Sequence, residues 1–251
     1  LDKNSGDLVG EDGSGASQNA LHAAWSSLTY GKVGTQEMLF WGGTDGFCYG
    51  YLNKTTKDSD GYDLYNPLWK VDCNEPNYRK DKEGNKIPYA TPPGPSELIG
   101  TPVLYEEKVY CAIGQDPEHG DGVGRLSCIN AKNGEVIWKY TDVGRTISTV
   151  SIADGLVYLA EYAGIIHCID ANSGTVYWTH DSFSRIWGST LIAGGKLLLG
   201  NEDGDLILLD HGKKKPEVTT IDMGAPVYSS PVVSNGTLYI GTQTHLYAIG
   251  K

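Results

Sequence analysis

The sequence has no apolar run near the roughly 18–20 residues that a membrane-crossing helix needs, and no cysteines at C-x-x-C spacing. Its five cysteines are Cys48, Cys73, Cys111, Cys128 and Cys168, and the closest two, Cys111 and Cys128, stand 17 residues apart. Zinc-ribbon and thioredoxin spacings are therefore missing. Four of the five lie in apolar, strand-like runs, where a buried free thiol is the expected state. Basic residues are also scarce: 20 Lys and Arg stand against 31 Asp and Glu, for a net charge of −11. Without clustered cations the chain lacks the footprint of a nucleic-acid or anionic-membrane surface. The opening segment Leu1-Asp2-Lys3-Asn4-Ser5-Gly6 is polar and unlike a signal peptide, so any export signal is expected upstream of it.

What the chain does have is a repeat. The clearest unit runs from Ile147 to Asp181, with short apolar stretches broken at Asp154-Gly155, Ala163-Gly164 and Asn172-Ser173-Gly174. Alternating or continuous apolar runs separated by D-G and N-x-G turns are hairpin signals, and they predict a four-stranded antiparallel meander. A small pair opens each such unit: Ser26-Ser27, Gly100-Thr101, Ser148-Thr149, Gly188-Ser189 and Ser229-Ser230. The intervals between second members are 74, 48, 40 and 41 residues. About forty residues per four-stranded sheet is the spacing of a β-propeller blade. The two longer intervals contain polar insertions, Asn74 to Pro95 and Gln115 to Gly124, which are expected to be surface loops.

The fold class is therefore all-β, a propeller of about five blades covering 22–73, 97–142, 145–182, 185–222 and 226–251. Segment 1–10 aligns with the fourth strand of a blade, so it is expected to complete the three strands of the last one. Such a join would hide both sheet edges. Either a closed five-bladed ring or part of a seven- or eight-bladed one satisfies this count.

Two segments carry a family likeness. Ile129-Asn130-Ala131-Lys132-Asn133-Gly134-Glu135-Val136-Ile137-Trp138 and Ile169-Asp170-Ala171-Asn172-Ser173-Gly174-Thr175-Val176-Tyr177-Trp178 resemble the A-x-D-x-x-T-G-x-x-x-W docking motif of quinoprotein propellers. Trp69 ends the first blade in the same way, so Trp69, Trp138 and Trp178 are expected to pack between blades. Gly10 replaces the tryptophan in the opening segment, and the region around His211 has lost the motif. The chain is similar to the pyrroloquinoline-quinone-like repeat family, nearest the outer-membrane-assembly lipoprotein type and related exported bacterial proteins. That resemblance implies a periplasmic or extracellular location and a ring that usually closes with eight blades.

The enzyme branch of that family implies a quinone and calcium on the propeller axis, an adjacent cysteine pair and an aspartate base. No two cysteines are adjacent here, which favours a chain without a cofactor; quinone with calcium is the alternative. The strands nearest the axis begin after Trp25, Ile99, Ile147, Trp187 and Tyr228, and two positions further back stand Ala23, Glu97, Arg145, Arg185 and Pro226, with His22 beside Ala23. Arg145 and Arg185, with Trp25, Trp187, Tyr228, Glu97 and His22, form a candidate axial mouth for an anionic, planar or multi-carboxylate ligand. The competing reading has the arginines satisfying loop carbonyls and acidic neighbours. In the second insertion, Asp116, Glu118, His119 and Asp121 are weak metal candidates, although they do not follow the calcium-loop pattern. The acidic run Asn201 to Asp205 reads as a turn.

The reading that best fits these features is a non-catalytic binding or scaffold propeller contacting a protein partner or an anionic small molecule. The alternative is a quinone-dependent alcohol or sugar oxidoreductase. A carbohydrate-active propeller would want paired carboxylates facing one cleft, and Glu97 is the sole acid among the axial positions.

Overall fold

Each repeat forms one antiparallel sheet in the computed structural model, which describes residues 1–92 and 94–250. A short β1 (Glu11–Asp12) precedes the first blade, which contains β2 (Thr29–Val33), β3 (Gln36–Gly42) and β4 (Phe47–Leu52). A small excursion, β5 (Thr56–Lys57) and β6 (Asp63–Tyr65), leads to its outer strand β7 (Pro67–Asp72). After one helical turn, α1 (Pro76–Arg79), the second blade comprises β8 (Val103–Tyr105), β9 (Lys108–Ile113), β10 (Arg125–Asn130) and β11 (Val136–Tyr140). The third comprises β12 (Ser151–Ala153), β13 (Leu156–Ala160), β14 (Ile165–Asp170) and β15 (Val176–Asp181), and the fourth β16 (Leu191–Ala193), β17 (Lys196–Gly200), β18 (Asp205–Asp210) and β19 (Val218–Asp222). The fifth holds three strands, β20 (Val232–Ser234), β21 (Thr237–Gly241) and β22 (Leu246–Ile249).

The middle strands are continuous apolar runs because both of their faces are covered. In β13, Val157 and Leu159 pack with Tyr110, Leu126 and Cys128 of the second blade. Tyr158 and Ala160, pointing the other way, pack with Leu197, Leu199 and Ile207 of the fourth. Alternation along one strand thus feeds two interfaces, and each fully buried aliphatic side chain contributes about 1.5–3 kcal/mol. All five cysteines are buried and free.

The three tryptophans do dock. Trp69 Nε1 donates to Ala131 O at 3.0 Å, Trp138 Nε1 to Ala171 O at 3.0 Å and Trp178 Nε1 to Gly212 O at 2.9 Å, each reaching the turn of the next blade. Gly134 and Gly174 sit at φ of 76° and 73°. An added Cβ at either would lie 2.8 Å from the ring of Trp69 or Trp138. The motif glycine is thus needed for its left-handed turn and for the ring lying on it.

The small pairs have a second use. Ser27 N–H donates to Thr101 Oγ1 (3.2 Å), Thr101 N–H to Thr149 Oγ1 (3.0 Å), Thr149 N–H to Ser189 Oγ (2.9 Å) and Ser189 N–H to Ser230 Oγ (2.7 Å). This ladder strings the five blades together. Among the described residues no bond from Ser230 back to Ser27 closes it. The face of the first blade turned from the second leaves Leu28 and Tyr30 exposed, and the last blade leaves Leu246 and Ile249 exposed. The five blades therefore do not close on one another, so of the two arrangements that the repeat count allows, the closed ring of five is not the one seen.

The opening segment also departs from expectation. Its turn does form: Asn4 and Ser5 N–H donate to Asp2 Oδ1 at 2.8 and 3.0 Å, as Asn172 and Ser173 do to Asp170 Oδ1 at 2.9 Å. Residues 1–10 nevertheless contain no strand and do not join the last sheet. The chain turns instead along the first blade, where β1 pairs in parallel with β6. Val9 and Gly10 line a hollow of about 430 Å³ with Leu28, Leu39, Trp41 and Tyr65.

Candidate functional site

The axial candidates separate into two groups joined by the second insertion. The first gathers around Glu97. This side chain does not line an open mouth as expected; it is wholly buried, and its backbone is bridged to Gly114. Tyr89 Oη donates within 3.2 Å of Glu97 Oε1 and 3.3 Å of Asp116 Oδ2, while Thr44 Oγ1 lies 3.4 Å from Glu97 Oε2. Burial pushes the Glu97 carboxyl up to about 7, against the hydrogen bonds of Tyr89, Thr44 and Trp25 that favour the carboxylate.

His22, Asp116 and His119 stand beside it. A bond from Leu21 N–H to Thr44 O, 2.9 Å long, fixes the segment that carries His22. Asp116 and His119 begin and end a single 3-10 turn, Pro117–His119, with Asp116 as its cap. Asp116 Oδ1 lies 2.7 Å from His119 Nδ1, and Asp116 Oδ2 lies 3.6 Å from His22 Nδ1. The two imidazole centroids are 4.2 Å apart, and both rings neighbour Tyr89 at 6.4 Å. The hydrogen bond to Asp116 raises the His119 pKa above its ordinary value. For Asp116, burial is outweighed by His119 and the Glu118 N–H, which leave its carboxyl below the usual range. Trp25, half exposed, flanks His22 at 6.3 Å. Glu118 and Asp121 are not part of this cluster.

The second group is the arginine mouth. Arg145 and Arg185 lie over the ring of Tyr162, with their guanidinium carbons 4.5 and 5.6 Å from its centroid. Tyr162 meets Trp187 edge-on at 5.2 Å, and Trp187 meets Tyr228 at 5.7 Å. Asp121 and Gly122 join Gly144, Ala163 and the arginines around a cavity of about 470 Å³. Arg145 Nη1 donates to Gly120 O, so one arginine does satisfy a loop carbonyl. Arg185 is largely exposed, and Glu202 is a loose 3.8 Å away. The Trp187 indole N–H is buried and has no partner among the described residues.

Three contributors lay outside the sequence-based expectations. Tyr162 follows the second strand of its blade at the turn beside the arginines. Thr44 sits in the corresponding turn of the first blade. Tyr89 belongs to the first insertion, expected from composition to be a surface loop, and that insertion is clamped: Asn74 Nδ2 donates to Ser96 O and Ser96 N–H to Asn74 Oδ1, each at 2.8 Å. Buried Arg125 reaches Glu75 at 3.2 Å and Asn74 O at 3.2 Å. The clamp holds both ends of the insertion and so delivers Tyr89 to the site.

The family model described as outer membrane protein assembly factor BamB matches residues 66–250. No match was found among curated proteins. The crystal structure of BamB from Moraxella catarrhalis overlays 88% of this chain at a TM-score of 0.62 with 15% identity, covering 57% of that protein. A chain of the mitotic checkpoint complex overlays 90% at 0.60 with 11% identity, covering 61% of its own length. The chain thus spans less than two thirds of either structure, and at these identities the likeness is one of fold.

Proposed function

Because the chain belongs to the quinoprotein-like repeat family whose model is described as outer membrane protein assembly factor BamB, we propose that it is a non-catalytic binding propeller. In this reading it is exported to a bacterial periplasm or cell surface and holds an acidic segment of a protein partner at the arginine mouth. The observation that supports this placement is the pair of guanidiniums over Tyr162, facing a cavity of about 470 Å³. Two planar forks suit carboxylates, because each can donate paired hydrogen bonds. With a net charge of −11, the rest of the surface repels acidic partners, so recognition is local and short-ranged. Among the described residues no helix is long and apolar enough to cross a membrane.

The quinone-dependent alternative fits the donor set poorly. The resemblance implies an adjacent cysteine pair, whereas these cysteines are separated in sequence and each is buried. No catalytic step is assigned through that group.

A fluorescently labelled oligoglutamate peptide titrated into the protein tests the mouth by anisotropy. Saturable, salt-sensitive binding is expected, weakened about tenfold or more when Arg145→Ala and Arg185→Ala are combined, with the melting temperature nearly unchanged. Absence of binding, or equal binding by the variant, overturns the placement. Dye reduction with short alcohols in the presence of quinone and calcium would overturn the non-catalytic reading itself.

A further inference from the structure

We propose that His22, Asp116 and His119 form a binding site for a divalent transition-metal ion of the zinc type. These residues come from two separated parts of the chain, the segment before β2 and the insertion between β9 and β10. Each offers one ligand atom, and these atoms all lie within 4.8 Å of one another. A tetrahedral ion with nitrogen and carboxylate ligands at about 2.0–2.2 Å holds its ligands about 3.3–3.5 Å apart. Asp116 and His22 sit 3.6 Å apart, and Asp116 and His119 2.7 Å apart in a hydrogen bond that an ion would replace, displacing the Nδ1 proton to solvent. Side-chain rotations on the order of 1 Å close the set around an ion.

The chemistry of the donors selects the ion. Two imidazoles and one carboxylate suit zinc, cobalt, nickel or copper, whereas calcium and magnesium want oxygen ligands throughout. Asp116 is oriented for the task by Tyr89 Oη at 3.3 Å and by the Glu118 N–H at 3.1 Å, an outer shell of the kind that aligns metal-bound carboxylates. The side chains of His22 and His119 are 36% and 40% exposed, which leaves an open side for water and an easy path of access. The ion would tie the segment leading into the first blade to the loop of the second, so binding stabilises the fold by mass action. The site is separate from the arginine mouth, and the proposal stands or falls apart from the binding reading above.

Tag-free protein stripped with a chelator would be titrated with cobalt(II) and followed by visible absorption, then challenged with zinc. About one equivalent of cobalt should bind, zinc should displace it, and millimolar calcium should not. His22→Ala and His119→Ala should each weaken binding about a hundredfold or more, and Tyr89→Phe about tenfold with the stoichiometry kept. His245→Ala, an exposed histidine elsewhere, serves as the control and should change nothing. Metal should raise the melting temperature of the wild type but not of His22→Ala. Absence of saturable binding overturns the site, as does binding that survives His22→Ala. His22 is on the surface, so that variant decides the question even if Asp116→Asn fails to fold.

Discussion

Between the third and fourth blades, Trp178 stands opposite Cys168 and donates its indole N–H across to Gly212 O at 2.9 Å. Between the fourth and fifth, the same register position, opposite Leu208, is held by Thr219. The consequences run through the whole interface. Trp178 is buried in a cluster with Tyr158, Ile166, Leu197, Leu199 and Ile207. Every residue of β19 is exposed, and the last junction keeps a small core of Leu206, Met223, Val227 and Ile240. The hydroxyl ladder is present at both junctions, with bonds of 2.9 and 2.7 Å, so the ladder alone does not bury a blade. The tryptophan adds area on the order of 150–250 Å² and fixes the outer strand against the next turn.

Three experiments probe that contrast. Trp178→Ala should cost about 3–5 kcal/mol in denaturant unfolding, from lost burial and an indole-sized void. A cost under about 1 kcal/mol would show that the docking ring is dispensable. Gly174→Ala should cost about 2 kcal/mol, because the position needs a φ of 73° and a Cβ there would lie 2.8 Å from Trp138. At Gly236, with φ of 76° but open space around it, the same change should cost less, which separates the ring contact from the turn. Amide hydrogen exchange should find β21 and β22 opening at least about tenfold more readily than β13 and β14, a gap of about 1.4 kcal/mol. Uniform protection across all five blades would instead mean that the fan opens as one unit.

The blades were legible in the sequence because their signals are local and repeated: turn glycines, small pairs and motif tryptophans recur at fixed offsets. Local chemistry also explains the failure at the amino terminus. The Asp2 turn forms as its pattern predicts, yet Gly10 provides no ring to dock the strand that should follow. The pairing of that strand is a long-range matter that a turn motif does not determine. The functional residues were legible by type and not by partner. His22 and His119 lie far apart in sequence, one before the first blade and one in the second insertion, and only the course of that insertion makes them neighbours. Tyr89 was hidden because composition marks an insertion as polar without revealing the Asn74–Ser96 clamp that closes it.

The smallest effect concerns the turn at Asp170, and the second blade carries its control. Asp170 accepts from Tyr177 Oη at 2.7 Å and from the N–H groups of Ser173 and Asn172, each at 2.9 Å. Led by the Tyr177 hydroxyl, these bonds hold its carboxyl down to about 2, from an ordinary value of 3.8. A carboxylate with a depressed pKa in the fold contributes stability that is complete above its unfolded pKa and fades as pH falls toward 2. Solvent screening at this surface turn limits the contribution to about 1 kcal/mol. Asn130 occupies the same place in the second blade, where its Oδ1 accepts the Lys132 N–H at 2.9 Å and the turn forms without a charge. Asp170→Asn should therefore fold normally and lose about 1 kcal/mol at pH 7. Urea unfolding curves of variant and wild type should converge as the pH is lowered from 5 to 2. A difference that stays constant over that range would assign the stability to the geometry of the turn, as in the second blade, and not to its charge.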